Sequence, residues 1–439
     1  MKVLLIGGES RSLINFRGTL IREIIGRGHE VFACAGNFDN NVAKTLNSWG
    51  AKYIPIKLQR AGMNPGRDIF ACMQLLRVIH IYHPDTVLAY TIKPVIWGGV
   101  AARIMNVKNV YSMITGLGYA FRKESSSDWV FQSRGSCDNS TSNLLEGELK
   151  SRISILPKFP KQRLARSMAC GLYRISLKFS KKVFFQNSDD LDDFIRLGLV
   201  EKEKGVVVNG SGVDLSFFSF KREYACSDKK VYNASGITGN QKGKFLSFLL
   251  IARLIKDKGI FEFAEAAKKI KEEFPKTEFH LIGDYDSNPT SLRPKDIKIL
   301  EESQTIVYHG MQSDVRPYLK NSDIYVLPSY REGTPRTVLE AMAIGLPVIT
   351  TDVPGCRETV TLSERGLKQK SMKQSVMEGE NGLLVRPGDA NAVASAMRYF
   401  IDRPDVIRKM GMRSRAIAER KYDVHKVNKI IMDEMGIFN

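Results

Sequence analysis

Short apolar runs rich in β-branched residues alternate with stretches of helical hydrophobic spacing from the first residue onward, the pattern of parallel strands covered by helices. Lys2–Ile6, Glu30–Ala35, Lys52–Ile56, Thr86–Tyr90, Asn109–Ile114 and Lys182–Gln186 read as strands of a first doubly wound domain, residues 1–215. A polar stretch, Lys221–Lys244, rich in Ser, Asn, Gly and Lys, reads as a linker. Strands resume at Phe245–Ala252, Glu278–Ile282, Thr305–Tyr308, Asp323–Leu327, Pro347–Thr350 and Gly382–Val385, with helices such as Ile260–Phe274 and Pro335–Ile344 between them. These define a second domain, 216–410, followed by a helical segment, 411–439, expected to pack back on the first domain. Two polar stretches, 123–148 and 363–378, read as insertions. The expected fold class is α/β, with two Rossmann-like domains facing a cleft where ligands of open sheets collect.

Composition narrows the partners. The chain has 439 residues, 66 Lys and Arg against 47 Asp and Glu, and a formal charge of +19, so it should meet an anionic partner or surface. Nucleic acid is not expected, because neither a recognition motif nor an interleaved aromatic stripe accompanies the charge. Cys34, Cys72, Cys137, Cys170, Cys226 and Cys356 lie far apart with no CxxC pair, which argues against a zinc cluster or disulfide scaffold and for a cytosolic chain. No apolar run reaches the roughly 18 to 20 residues that cross a bilayer. The first strand meets Glu9, Ser10 and Arg11 before the apolar stretch of a secretory leader could form.

Candidate chemistry concentrates in the second domain. Thr334 before Pro335 reads as a helix start, with the hydroxyl capping and proline at the first helical position. No carboxylate follows at Thr337, so the amides of Arg336 and Thr337 are left for an outside anion such as a diphosphate. Glu332 precedes this helix and Glu340 lies inside it; both carboxylates could accept from sugar hydroxyls. Arg253 and Lys258 follow another strand, where arginine can grip two phosphate oxygens and lysine adds a compact charge. Taken singly, Glu332 reads equally well as a solvated loop acid, Glu340 as an ordinary helix residue, and the two cations as caps of a surface loop. The Asp284 and Asp286 spacing follows a strand, but the neighbouring motifs do not call for a metal.

Arg253 and Lys258, the E-x7-E pair Glu332 and Glu340, and Asn381–Val385 resemble, in order and separation, the donor half of the retaining glycosyltransferase family 4. Tyr90–Pro94, Gly116–Phe121, Phe185–Asn187 and Arg331–Arg336 narrow the likeness to a bacterial subgroup that extends undecaprenyl-diphosphate sugars. The resemblance implies the GT-B fold and a UDP-sugar donor held by Arg253, Lys258, Glu332, Gly333, Thr334, Pro335, Arg336, Thr337 and Glu340. It assigns the diphosphate to Arg253 and Lys258, the ribose to Glu340 and the transferred sugar to Glu332. It further implies front-face displacement onto a lipid-linked saccharide, with no metal or other cofactor.

On the acceptor side the glycines of GGESRSLINFRG do not fit G-x-G-x-x-G, which disfavours a dinucleotide site. Gly7, Gly8, Arg17, Lys93, Gly116 and Gly118 are the candidate acceptor residues, the glycines letting backbone approach the cleft. From Lys150 through Lys182 the chain carries ten Lys or Arg and no acid. Leu164, Met168, Leu172, Ile175 and Phe179 share one side of this helix, and Arg163, Arg166, Arg174 and Lys178 lie on others. The alternatives are a core helix with a solvated face or a basic helix on an anionic membrane, each cation adding about 1 kcal/mol. The second places the protein at the inner face of the cell membrane. The loop Gly116–Phe121 carries no histidine, so a general base is unassigned. A nucleotide-sugar epimerase of the same fold and a noncatalytic nucleic-acid binder stand as alternatives, and the oligomeric state is open.

Overall fold

The computed structural model describes residues 1–58, 65–117, 159–220, 229–233, 236–241, 245–286 and 290–438, with side chains omitted for 159–165 and 229–241. The first sheet holds β1 (Lys2–Gly7), β2 (Glu30–Ala35), β3 (Lys52–Pro55), β4 (Thr86–Tyr90), β5 (Asn109–Ile114), β6 (Lys182–Phe185) and β7 (Gly205–Val207). All its pairs are parallel, in the order β3-β2-β1-β4-β5-β6-β7. A hairpin, β8 (Lys229–Asn233) and β9 (Gly236–Gln241), occupies the stretch expected as a linker.

The second sheet holds β10 (Ser247–Ile251), β11 (Glu278–Ile282), β12 (Val307–Tyr308), β13 (Ile324–Leu327), β14 (Val348–Thr351), β15 (Val376–Glu378) and β16 (Gly382–Val385). Its order is β12-β11-β10-β13-β14-β16-β15, parallel except for the last pair. The 363–378 stretch, expected as an insertion, therefore folds into the helix Glu364–Ser371 and the edge strand β15. The 123–148 stretch lies outside the described residues.

The strands read as continuous apolar runs because helices cover both faces. Leu4, Ile6, Val87 and Val183 face one core of the first sheet; Val3, Leu5, Leu88 and Phe184 face the other. Leu250 and Val326 against Leu249 and Tyr325 repeat this division in the second sheet. In each sheet the strand order reverses beside the first strand, between β1 and β4 and between β10 and β13. Crevices at the carboxyl ends of such strands are where open sheets bind ligands.

The chain crosses between domains twice, and the crossings are tied together. The Val213 amide donates to the Tyr422 carbonyl at 2.8 Å, and the Val424 amide returns to the Val213 carbonyl at 3.1 Å. Gly212, at φ +68°, sits where a Cβ would lie 2.5 Å from the Val424 Cα. Beyond the crossing, Val427, Ile431, Met432 and Ile437 enter a core of the first domain. The preceding helix, Asp405–Ile417, stays with the second, where Ile417 is buried.

Candidate active site

β10 ends at Ile251, and the chain runs through Arg253 into a single 3-10 turn, Lys256–Lys258, closed by Gly259 at φ +71°. Glycine is required there on two counts. The left-handed backbone penalises a side chain, and a Cβ would sit 2.1 Å from the Pro328 carbonyl oxygen. This packing brings the turn against the end of β13. Lys258 Nζ donates to Glu332 Oε1, which also accepts from the Ser329 hydroxyl at 2.7 Å. Both charged side chains are largely buried, 15% and 12% exposed. Arg253, more open, donates to Asp286 at 2.5 Å. Asp286, half of the Asp-x-Asp spacing, is thus occupied by a guanidinium.

The helix after Glu332 runs Arg336–Ile344, with Pro335 at its N-cap and no side-chain cap. This corrects the expectation for Thr334. Its hydroxyl turns away from the helix and donates to the Gln186 carbonyl of the first domain at 2.8 Å. Among the described residues the amides of Arg336 and Thr337 meet no acceptor, while those of Val338 and Leu339 reach the Pro335 carbonyl. The helix thus opens with two donors aimed outward, where its dipole favours an anion. Glu340 is buried in the second turn, paired with Arg336 Nε at 2.9 Å. Burial pushes its carboxyl up, and the Arg336 charge opposes this.

The first domain presents the carboxyl ends of β1, β4 and β5. Gly7 and Gly8 make room for side chains of their own domain: a Cβ on Gly7 would lie 2.3 Å from the Tyr90 hydroxyl, and one on Gly8 2.9 Å from Thr91 Oγ1. The expected role, letting backbone approach the cleft, gives way to this closer packing. Lys93 is likewise spent locally, bonded to Asp68 at 2.7 Å. Gly116, at φ +120°, borders the donor loop, its would-be Cβ 3.3 Å from the Gly333 nitrogen. Gly118 lies outside the described residues.

Arg17 falls in the buried stripe Leu13, Arg17, Leu20, Ile21 and Ile24 of the helix Ser10–Gly26. Its guanidinium reaches the Phe16 carbonyl and Met113 Sδ and lies 5.2 Å from the Tyr90 ring centre, with Nε unpartnered. Burial lowers its pKa to about 10, the Tyr90 hydroxyl partly opposes this, and Arg336 across the cleft adds repulsion; among the described residues no carboxylate pairs with it. Arg336 itself lies over the Phe16 ring at 5.3 Å.

Arg331, which opens the motif Arg331–Arg336 but has no role assigned from sequence, reaches across to the first domain. Its Nη2 reaches Asp190 at 2.5 Å and Asp193 at 3.0 Å, both in the first domain. Asn187 Nδ2 donates to the Gly333 carbonyl at 2.6 Å, and Arg357 meets Asp189 at 3.1 Å. The acid-rich run Ser188–Asp193 after Phe185–Asn187 was the available signal.

On the outer face, Met168, Ile175 and Phe179 are 45%, 56% and 36% exposed, beside the exposed Arg166, Arg174 and Lys178. Tyr173 and Leu177 point into the core instead. Arg174 also caps neighbouring backbone through the Leu197 carbonyl at 3.0 Å. The side chains of Arg163 and Leu164 lie outside the described residues. Among the described residues no helix is long and apolar enough to cross a membrane.

Comparison with known proteins gives a consistent picture. Residues 246–403 match the model of the family described as Glycosyl transferases group 1. Over 406 residues, 91% of this chain and 95% of the relative, the sequence is 26% identical to the N,N'-diacetylbacillosaminyl-diphospho-undecaprenol alpha-1,3-N-acetylgalactosaminyltransferase of Campylobacter jejuni. Among solved structures, Anabaena HepE with UDP and glucose superposes with TM-score 0.64 at 16% identity, covering 100% of each chain. A glycosyltransferase from Rickettsia africae superposes with TM-score 0.64 at 18% identity, covering 99% of this chain and 98% of the other.

Proposed function

We propose that this chain, a glycosyltransferase of the GT-B fold, moves a sugar from a UDP-sugar to a polyprenyl-diphosphate-linked saccharide with retention at the anomeric carbon. The observation that carries the reading is the convergence of Arg253, Lys258, Glu332 and the two outward amides of Arg336 and Thr337 at the carboxyl edge of the second sheet. The alternation of charges there suggests how a donor enters. A diphosphate near Lys258 competes with Glu332 for the ammonium, and the displaced carboxylate becomes available to the hydroxyls of the transferred sugar. Each charge-assisted bond contributes about 1.5 to 3 kcal/mol.

As the glycosidic bond breaks, negative charge grows on the leaving diphosphate. Two cations and the opening helix amides stabilise it in place, without reorganising at the moment of reaction. The acceptor hydroxyl attacks the anomeric carbon from the same face, and its proton passes to the departing diphosphate oxygen. Glu340, buried against Arg336, is the group for the ribose, and Gly333 to Thr337 line the donor. Arg17 and Gly116 border the acceptor side of the cleft. The reading invokes no metal and no cofactor.

The relative from Campylobacter is named for a lipid-linked acceptor, and the exposed apolar and basic face around Ile175 suits an anionic membrane surface. Such a surface would hold the protein at the inner face of the cell membrane, next to that acceptor. The test is a panel of radiolabelled UDP-sugars offered with a polyprenyl-diphosphate-linked monosaccharide, followed by analysis of the new linkage. One α-linked, acceptor-dependent product is expected. Conversion of the UDP-sugar without acceptor would favour an epimerase instead.

A further inference from the structure

The loop that carries Glu332 is held by both domains, and the two sets of contacts divide along it. Its entry is anchored within the second domain: the Tyr330 amide donates to the Asp257 carbonyl at 2.9 Å and the Glu332 amide to the Pro354 carbonyl at 3.1 Å. Its exit is anchored in the first. The Gly333 carbonyl accepts from Asn187 Nδ2 at 2.6 Å, and the Thr334 hydroxyl donates to the Gln186 carbonyl at 2.8 Å. Between them the Arg331 side chain spans the cleft to Asp190 and Asp193.

Two features set these contacts apart from a general domain interface. Asp190 has a fully buried side chain. Its carboxyl also accepts from Asn187 Nδ2 at 3.2 Å, and Asn187 Oδ1 takes the Asp190 amide at 2.8 Å, so both residues form one rigid cap on the helix Ser188–Arg196. Burial pushes the Asp190 carboxyl up, and the Arg331 charge opposes this. A buried acid of this kind is tolerated when its cation is in place and costs several kcal/mol when stranded. Second, Gly333 fits only as glycine, because a Cβ would sit 2.4 Å from Gln186 Oε1 and 2.6 Å from the Thr115 carbonyl. The donor loop is thus wedged between the ends of β5 and β6.

We propose that Asp190, acting through Arg331, and Asn187, acting through the Gly333 carbonyl, are positioning residues that align Glu332 with the transferred sugar when the domains close. The proposal rests on the donor-site reading above, since it concerns the same carboxylate. Nucleotide binding belongs to the second domain and does not need these contacts; sugar transfer does. The first domain would therefore license chemistry on a donor already bound, which keeps an activated sugar from reaction in the open cleft.

The test uses the full chain with Asp190→Asn, Arg331→Gln, their combination, and Asn187→Ala. Transfer kinetics, UDP affinity and hydrogen exchange of the 329–336 backbone are measured on each. The proposal expects kcat to fall by about 100-fold, as misplacement of a reacting group by about 1 Å does. UDP affinity should stay within about threefold and exchange at 331–334 should rise at least about tenfold, as expected of a loop that has lost its anchors. The double variant should lose no more than the worse single one, the mark of a shared interaction. Arg331→Lys, which keeps the charge and loses the fork, serves if the Gln variant does not fold, and should recover part of kcat. Unchanged exchange at 331–334, or UDP affinity falling in step with kcat, would overturn the proposal. A wild-type chain inactive with every UDP-sugar would sink the transferase reading and this role with it, whereas an active wild type whose Asp190→Asn and Asn187→Ala variants keep their kcat would overturn the positioning role alone.

Discussion

Replacing Lys258 by Ala separates what its charge does for the fold from what it does for the reaction. In the unliganded protein the ammonium neutralises Glu332, and both side chains are about seven-eighths buried. Removing it strands the carboxylate, which among the described residues keeps the Ser329 hydroxyl at 2.7 Å. Stranding one member of a buried pair costs about 3 to 5 kcal/mol, and the residual exposure places this case near the lower figure. For a domain of this size each kcal/mol moves Tm by about 2 to 4 °C, so a loss of roughly 6 to 12 °C is expected by calorimetry. Turnover should fall by about 10² to 10³, the range for deleting one donor to a developing anion. Glu332→Gln in the same background removes the stranded charge, so it should recover much of the Tm and none of the turnover. Normal turnover by Lys258→Ala in the radiolabel assay would refute the assignment; an unshifted Tm would refute the buried pair.

Glu358 is pushed up to about 7 by burial first and by the neighbouring Asp189 charge next. Because its folded pKa lies above the ordinary 4.5, the stability it contributes is complete below pH 4.5 and lost as pH rises through about 7. Glu358→Gln should therefore flatten the melting profile across that window and melt above wild type at pH 8; parallel profiles would contradict this. Arg17→Met removes a buried charge that meets no carboxylate among the described residues and should gain about 1 to 3 kcal/mol in denaturant unfolding while lowering acceptor-dependent turnover, so a less stable variant would count against this reading. Ile175→Asp places an anion on the exposed apolar and basic face, and cosedimentation with acidic phospholipid vesicles should drop several-fold; undiminished binding would move the membrane contact elsewhere.

Parallel strands were legible because burial on both faces leaves continuous apolar runs, and Lys2–Ile6 or Glu278–Ile282 could be read almost residue for residue. β15 was not, since three residues with only Met377 fully buried carry too little hydrophobic signal to stand out from a polar stretch. The donor site was legible as residue types at strand ends, but not as pairings. That Lys258 bonds Glu332 depends on how Gly259 lets a turn nestle against β13, and no spacing rule contains that approach. Thr334 was misread for a related reason: a local cap and a bond to a distant carbonyl look alike in sequence, and the second domain's closeness to Gln186 decided between them. Asp190 and Arg331 lie 141 positions apart, so the acid-rich run Ser188–Asp193 marks a gathering of anions without showing which cation meets it. Arg17 was legible as a candidate acceptor residue, but its burial against Met113 and Tyr90 was not, since those neighbours come from distant strands.

The central claim is that the second domain grips a diphosphate through Arg253, Lys258 and the first amides of the helix Arg336–Ile344. Titration calorimetry of UDP against UMP, on wild type and on Arg253→Ala, addresses it directly. The account predicts that UDP binds more tightly than UMP and that the arginine variant loses about tenfold for UDP and little for UMP, which corresponds to one charge-assisted bond to the outer phosphate. Equal affinities for the two nucleotides, or no heat with either, would contradict it.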